Sequence, residues 1–266
     1  MFSLLVSCDE PKSSYSALSE RPEDPIVAVF AVEDGKGCIR AGKLRSGHFK
    51  KLCDGDYPSL SPSGKFLAYN QSTRNGIQAV RVIEIRTGKV TIFDSIPKDI
   101  APWPESFWSK DEKLIAFHVH DFTGNRSRCV VSMEDGSFWR GTDLEFRDKH
   151  PDDFGVTTLG ARASVEGRLE IRNLKHVGAL FFRSGGGESI RLTPENMGVT
   201  GTPIWIEKTG EALFVGSRVN SPYGDEDVLP GKIYLIRPGS MDWANASEKE
   251  WEKAVIMSGE QVSLSR

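Results

Sequence analysis

The sequence has little excess of either charge, since 34 Lys and Arg residues stand against 37 Asp and Glu residues in a chain of 266. A chain this close to neutral has no basic surplus to displace the counterions around phosphates, which argues against a simple nucleic-acid binder. It also lacks any run of 18 apolar residues, which excludes a bundle of membrane-spanning helices. The 38% hydrophobic and 9% aromatic residues argue against wholesale disorder. A soluble globular protein remains, and its 26 Gly and 14 Pro residues predict many turns.

Several motifs of enzymes and cofactor sites are missing as well. No Gly-x-Ser-x-Gly occurs, which argues against a serine-hydrolase domain. The glycine-rich segment Ser184–Gly187 is followed by no Gly-Lys-Ser/Thr and lies between two predicted strands, so we expect a hairpin turn and not a phosphate loop. The sequence predicts no bound cofactor, and the weak metal candidates, calcium included, are described below.

The four cysteines form no Cys-x-x-Cys pair, which leaves a zinc ribbon or a thioredoxin-like site without support. Cys38 and Cys53 flank the turn Arg45–Gly47 almost symmetrically, so they could face each other across a hairpin and form a disulfide. We favour the alternative, that both are small buried hydrophobic residues. Cys129 lies in an apolar run and is predicted to be in the core.

The N-terminal segment Leu5-Val6-Ser7-Cys8 resembles a bacterial lipobox, in which the Cys receives the lipid. The polar, Ser- and Pro-rich residues up to 24 are typical of a flexible tether. Only seven residues precede Cys8 and none is charged, whereas a signal peptide needs a charged region and an apolar stretch of about 7–15 residues. Either the start lies upstream or the match is due to chance. We take residues 1–24 as a lipobox-like N-terminus and tether, with lipid attachment at Cys8 and a location outside the cytoplasm.

One short segment, built around a tight turn, occurs repeatedly. Its clearest copy is Ser61–Tyr69, and Ser109–Phe117 repeats its Ser, its Lys and its Ala-aromatic pair 48 residues later. A partial copy carries its turn glycine at Gly210, and a degenerate copy is expected at Ser164–Leu169. A period of this length is typical of repeat architectures.

Each copy continues into two further predicted strands joined by a tight turn. The predicted pairs are residues 79–85 and 90–93, 128–133 and 137–139, 178–183 and 189–192, and 232–236 and 253–257. Four antiparallel strands in each period of 40–50 residues indicate the blade of a β-propeller.

The segment Ser61–Tyr69 resembles the WD40-like (PD40-type) repeat of TolB-type β-propellers, which also occurs in propellers of prolyl-oligopeptidase-like proteins. The copies at Trp108 and Gly210 match it only in part. The resemblance covers about residues 26–266 and implies an all-β fold of four-stranded antiparallel blades. It is a weak indication of function, because the matching residues serve the blade itself.

The first predicted blade has no first strand of its own. Residues 256–265 align with residues 52–61, so we expect residues 262–265 to complete the N-terminal blade and cover its open edge. This gives one propeller domain over residues 25–266, with five blades favoured. The alternative is a propeller of six or more blades, of which this chain is a truncated copy.

Two groups of polar residues are weak metal candidates. His118, His120 and Asp121 combine two imidazoles with a carboxylate, and Asp225 and Asp227 lie in an acidic loop without the spacing of an EF-hand. We favour simpler interpretations for both, a strand that exits to a loop and a solvated acidic loop.

Blade cores are rigid, whereas the loops that join strands at each rim are free to vary, so we expect recognition at residues 72–78, 120–126 and 220–231. The candidate binding residues are Arg74, Asn75, His120, Asp121, Asn125, Tyr223 and Asp225.

The favoured function is a non-enzymatic, TolB-like scaffold, tethered by lipid outside the cytoplasm, that binds a protein or a cell-envelope component through its rim loops or its funnel. No nucleic acid is expected as a partner, and the membrane is expected only through the lipid anchor. The alternative is a propeller-fold hydrolase, either a carboxylate glycosidase or a metal-dependent lactonase. A third interpretation is the remnant of a larger gene.

Overall fold

A computed structural model describes residues 24–72, 78–93, 95–97, 101–120, 126–151, 153–154, 169–174, 177–183, 187–206, 208–218, 231–259 and 261–264. The chain divides into two compact units. Unit 1 consists of residues 1–155 and 263–266, and unit 2 consists of residues 156–262. The lipobox-like segment and Cys8 lie outside the described residues.

The first sheet of unit 1 combines the beginning and the end of the described chain. It contains β1 (Ile26–Glu33), β2 (Lys36–Lys43) and β3 (Phe49–Asp54), and the C-terminal strand β19 (Gln261–Leu264) lies beside β1. The prediction that the C-terminal segment completes this sheet is therefore confirmed for the residues of β19.

The other two sheets of unit 1 are simple antiparallel meanders. The second contains β4 (Asp56–Leu60), β5 (Phe66–Ser72), β6 (Gln78–Glu84) and β7 (Val90–Ile92). The third contains β8 (Ala101–Trp108), β9 (Leu114–His120), β10 (Arg126–Ser132) and β11 (Phe138–Gly141). Helix α1 (Asp143–Lys149) follows β11 and packs on the third sheet through Phe146.

Unit 2 has the same kind of sheet. One sheet contains β12 (Leu169–Leu174), β13 (Val177–Arg183) and β14 (Ser189–Arg191). The next contains β15 (Met197–Ile206), β16 (Glu211–Arg218), β17 (Lys232–Ile236) and β18 (Val255–Ser258). A 3-10 helix (Trp243–Asn245) and helix α2 (Glu248–Ala254) lie between β17 and β18.

The predicted all-β fold of four-stranded antiparallel blades is confirmed by these sheets. The number of blades stays a prediction. The degenerate repeat copy at 164–168 lies outside the described residues. Because β13 and β14 are antiparallel neighbours, with Arg183 opposite Ser189, the glycine-rich segment between them connects a hairpin, as predicted. None of the helices in the described residues is long and apolar enough to cross a membrane.

The repeated serine of the motif holds the turn between the first and second strands. Ser61 is fully buried, and its Oγ accepts the Phe66 N–H at 3.1 Å. The buried Ser109 does the same for the Leu114 N–H at 2.9 Å. The turn also requires a positive φ, which is 72° at Gly64 and 62° at Glu112, 48 residues later. The motif is therefore structural, and its hydrogen bonds explain why the serine recurs.

Hydrogen bonds also join the first strands of neighbouring sheets within unit 1. The Leu60 N–H donates to Ser263 Oγ at 2.9 Å, and the Trp108 indole N–H donates to the Ser59 carbonyl at 2.9 Å. At the adjacent turns, Ser63 Oγ donates to Glu112 Oε2 at 2.8 Å. Apolar clusters fill the space between the first and second sheets and between the second and third.

Cys38, Cys53 and Cys129 are buried, and none of these three described cysteines forms a disulfide. Cys53 lies opposite Ile39, and Cys38 lies opposite Asp54, because an irregularity between Ile39 and Arg40 shifts the register of β2 and β3. The favoured interpretation of Cys38 and Cys53 as small buried residues agrees with this register. Cys129 is in the core between the second and third sheets, where burial raises the pKa of its thiol to about 12.

Candidate binding site

Each sheet has two ends, at which different pairs of strands are connected. At one end, which we call the turn end, strands one and two or three and four are joined by short turns such as Ser61–Lys65, Ile85–Lys89 and Met133–Ser137. At the other, the loop end, strands two and three are joined. In unit 1 these connections are Asp34-Gly35, residues 73–77 and residues 121–125. In unit 2 the loop-end connections are residues 175–176 and residues 219–231, and the turn-end connection between β17 and β18 spans residues 237–254.

Most of the predicted binding residues belong to the connections at the loop end but lie outside the described residues. These are Arg74, Asn75, Asp121, Asn125, Tyr223 and Asp225, together with the metal candidate Asp227. Their positions in the chain, between strands two and three of their sheets, assign them to the loop end. Their roles stay predictions.

The structure places His118 and His120 on β9, two residues apart in the third sheet. His118 lies opposite Arg128, and His120 lies opposite Arg126 on one side and Ala101 on the other. His118 is half-buried, and its ring lies edge-on to the ring of Phe107, with 6.1 Å between the two ring centres. Among the described residues, no group of three His, Cys, Asp or Glu side chains is arranged to hold a metal ion. Asp121 lies outside that set, so the metal site stays a prediction.

The structure brings a buried arginine beside His118, which the sequence did not indicate. Arg128 is 3% exposed, and its Nε donates to Asp143 Oδ1 at 2.7 Å. Its guanidinium lies 5.6 Å from the centre of the Phe146 ring. Hydrogen bonding from Arg128 lowers the pKa of Asp143, and the charges of Arg128 and His118 act in the same direction. The Thr142-x-x-Glu145 capping box that begins α1 is the sequence signal from which this helix could have been predicted.

A second polar group lies where the chain crosses from the first sheet to the second. Asp56 begins β4 opposite Asn70, which is 3% exposed. Burial raises the pKa of the Asp56 carboxyl, and its Oδ1 has no hydrogen-bond partner among the residues described. The next residue, Tyr57, has a φ of 52°, a strained conformation for a non-glycine residue. Gln71 Oε1 on the adjacent β5 is also buried without a partner in the described part of the chain.

The loop end of unit 1 therefore contains buried side-chain oxygens, of Asp56 and Gln71, without a hydrogen-bond partner among the described residues. At the turn end, by contrast, the buried hydroxyls of Ser61 and Ser109 accept backbone hydrogen bonds. Asp56 and Asn70 share one face of the second sheet by register, whereas Gln71, the next residue of β5, projects from the opposite face. The arrangement offers oxygen acceptors for N–H donors of a ligand, but it is not a paired set of carboxylates of the kind a glycosidase uses.

No protein-family model matches the chain, and no curated protein sequence is significantly similar to it. Among solved structures, the chain is similar to TolB from Acinetobacter baumannii, with 17% identity and a TM-score of 0.41 over 86% of this chain and 55% of that one. It is similar to a putative TolB from Agrobacterium tumefaciens with 15% identity and a TM-score of 0.37, covering 88% of this chain and 82% of that one. A Pyrococcus horikoshii acylaminoacyl peptidase is similar with 13% identity and a TM-score of 0.35, covering 83% of this chain and 39% of that one. These likenesses concern the fold alone.

Proposed function

We propose that this chain is a non-enzymatic, TolB-like propeller scaffold that binds another protein or a cell-envelope component through its loop end. We further propose that it is lipid-tethered at Cys8 outside the cytoplasm and needs no metal or cofactor. The observation that carries the proposal is the difference between the two ends of the sheets. In unit 1 the turn end repeats turns of five residues, whereas the loop-end connections differ from sheet to sheet, with two residues at Asp34-Gly35 and five at residues 73–77 and 121–125. Variable loops on a rigid scaffold are the usual location of recognition.

The hydrogen bonds of Asp24 and Pro25, where the described chain begins, also support binding through the loop end. The Leu44 N–H donates to the Pro25 carbonyl at 3.0 Å, and the Arg45 N–H donates to Asp24 Oδ1 at 3.0 Å. These bonds hold Asp24 and Pro25 at the turn end, next to the connection between β2 and β3. An anchor at Cys8 would therefore be joined to the end opposite the proposed binding loops.

Site-specific photo-crosslinking in cells tests which end binds. A photoreactive amino acid at Asn75 or Asn125 is expected to capture the same partner, since both positions belong to loop-end connections. The matched controls carry it at Lys89 or Asp135, which are exposed residues of the turn end. Crosslinks that form only from the control positions would overturn the proposal.

Binding of the captured partner then measures the contribution of individual loops. Arg74→Ala with Asn75→Ala is expected to weaken binding about tenfold or more, as for residues central to an interface. Arg86→Ala with Lys89→Ala at the turn end should leave it unchanged. Binding in EDTA should equal binding in calcium, whereas a loss in EDTA would favour a calcium site at Asp225 and Asp227.

Two further measurements address the anchor and the hydrolase alternative. Labelled palmitate should be incorporated into the wild type and not into Cys8→Ser. Turnover on a panel of glycosides and lactones is expected to be absent. Hydrolysis that the loop-end variants abolish would replace the scaffold with an enzyme.

A further inference from the structure

The sheet formed by β12, β13 and β14 in unit 2 has two chemically different faces. Leu169, Leu180 and Leu192 are buried on one face, in a core shared with β15, β16 and β17. The pairing of the strands places a second set of side chains on the opposite face. We call this opposite face the Arg face, and its charged and aromatic members are Glu170, Arg172, Phe181, Arg183 and Arg191.

The guanidinium of Arg172 is held in one position on this face. It lies over the Phe181 ring, 4.4 Å from the ring centre. Its Nη2 donates to Glu170 Oε2 at 2.7 Å and to Ser189 Oγ at 2.9 Å. A stacked and hydrogen-bonded guanidinium loses little conformational entropy when it binds a further group, so it is preorganised for an anion.

Arg183 converges on the same point from the neighbouring strand. Its Nε donates to Ser189 Oγ at 3.2 Å, and its Nη2 lies 3.9 Å from Glu170 Oε2. Although these groups contact each other, the side chains of Arg172 and Arg183 remain 38% and 51% exposed. Arg191 is held differently, because its Nε donates to the Thr193 carbonyl at 2.8 Å.

The charge on this surface points to the kind of partner. Three arginines and one glutamate leave an excess of two positive charges. Guanidinium groups bind carboxylates in a planar, two-bond geometry. Anionic membranes are recognised by clusters of about four to eight basic residues, and nucleic acids by longer basic surfaces, so an excess of two is small for either.

We propose that the Arg face is a docking surface for an acidic peptide segment of a partner protein, with carboxylates of that segment bound by Arg172 and Arg183. This surface is distinct from the loop end and does not depend on the function proposed for it. Loss of binding at one surface can be measured while the other is intact.

Fluorescence anisotropy with the full chain tests the proposal. The probe is a fluorescein-labelled peptide of alternating glutamate and glycine, and the same peptide with glutamine is the control. We expect the protein to bind the glutamate peptide and not the glutamine peptide, with an affinity that falls as salt is added. Arg172→Gln with Arg183→Gln should weaken binding about tenfold or more. Arg86→Gln with Lys89→Gln, which changes the net charge equally in unit 1, should leave it unchanged.

A variant that is expected to bind more tightly distinguishes a specific effect from misfolding, since misfolding would only weaken binding of the peptide. Glu170→Gln removes the internal carboxylate that competes for the two guanidiniums, so the glutamate peptide should bind more tightly, by severalfold. Weaker or unchanged binding to Glu170→Gln would overturn the proposal, as would equal losses in the two charge-matched double variants. Binding to phosphatidylglycerol vesicles without binding to the peptide would assign the surface to a membrane instead.

Discussion

At the scale of single residues, the repeated motif is explained by hydrogen bonds that the sequence pattern only implied. Ser61 and Ser109 were recognised because they recur, and the structure shows that each buries a hydroxyl that accepts a backbone N–H. Glu112 occupies the left-handed position of Gly64 and accepts hydrogen bonds from the N–H and the hydroxyl of Ser63. A residue that departs from the motif therefore has a role of its own, which the alignment of the repeat could not indicate.

Ser61→Ala is expected to lower the free energy of unfolding by about 1–3 kcal/mol, because the Phe66 N–H loses its buried acceptor. Urea denaturation measures this change. Ser258→Ala is the matched control, since Ser258 is exposed, and should change stability by less than about 0.5 kcal/mol. Equal effects of the two substitutions would contradict the role assigned to Ser61.

The ion pair of Arg128 and Asp143 predicts a dependence of stability on pH. In the folded protein the pKa of Asp143 is lowered from its usual value of 3.8. The ionised carboxylate therefore contributes fully to the free energy of unfolding above about pH 5, where it is charged in both the folded and the unfolded protein. The contribution is lost as the pH falls through the folded-state pKa. Asp143→Asn leaves the guanidinium of a buried arginine without its carboxylate and should cost about 1–3 kcal/mol at neutral pH.

The difference in stability between wild type and Asp143→Asn should shrink on acidification and vanish at low pH, as followed by urea denaturation across a pH series. The double variant Arg128→Met with Asp143→Asn should lose less free energy of unfolding than Asp143→Asn alone, because it leaves no buried guanidinium without its carboxylate. A difference that stays constant down to pH 3 would show that the carboxylate contributes no charge effect.

At the scale of elements, the strands were predicted from the repeat, whereas the two helices were not predicted. The predicted strand at residues 253–257 is wrong in its first two residues, because α2 continues to Ala254 and β18 begins at Val255. Both helices have seven residues and begin with a capping box, at Thr142 and at Ser247. In so short a helix the apolar pattern is brief, and burial of Phe146 or Trp251 supplies the stability.

Thr142→Ala is expected to cost about 1 kcal/mol, because the Glu145 N–H loses the hydroxyl that accepts it at 3.2 Å. Thr142→Ser keeps the hydroxyl and should retain most of that stability. Hydrogen exchange of the α1 amides gives a local measurement. Exchange that is equally fast in both variants would contradict the capping role.

Close backbone approaches between strands are a second feature of the elements that only coordinates reveal. The Gly55 N–H donates to the Gly37 carbonyl at 3.2 Å, and the Gly259 N–H donates to the Gly231 carbonyl at 2.9 Å. A Cβ at Gly231 would lie 2.7 Å from the Gly259 carbonyl oxygen, which leaves no space for a side chain. The alignment of residues 256–265 with residues 52–61 thus corresponds to a repeated hydrogen bond in each unit.

At the scale of the whole molecule, the first sheet depends on a strand from the far end of the chain. Removing residues 261–266 would expose the edge of β1 and remove the Ser263 hydroxyl that accepts the Leu60 N–H. We expect a loss of about 3 kcal/mol or more, from the several hydrogen bonds of a strand, together with aggregation. Thermal unfolding and size-exclusion chromatography measure both, and removal of residues 265–266 alone is the control.

The amino-acid sequence by itself determined the class of the sheets, because a serine and glycine turn that recurs with alternating apolar residues has few solutions other than an antiparallel blade. It also predicted the C-terminal strand, since the alignment of the two segments is a local property. The tertiary structure decided which polar groups meet. The Arg128–Asp143 pair, the half-buried Asp56 and the convergence of Arg172 with Arg183 on Glu170 join residues from different elements. The physical reason is that blade-forming hydrogen bonds repeat along the chain, whereas these contacts depend on register and packing, which no single segment encodes.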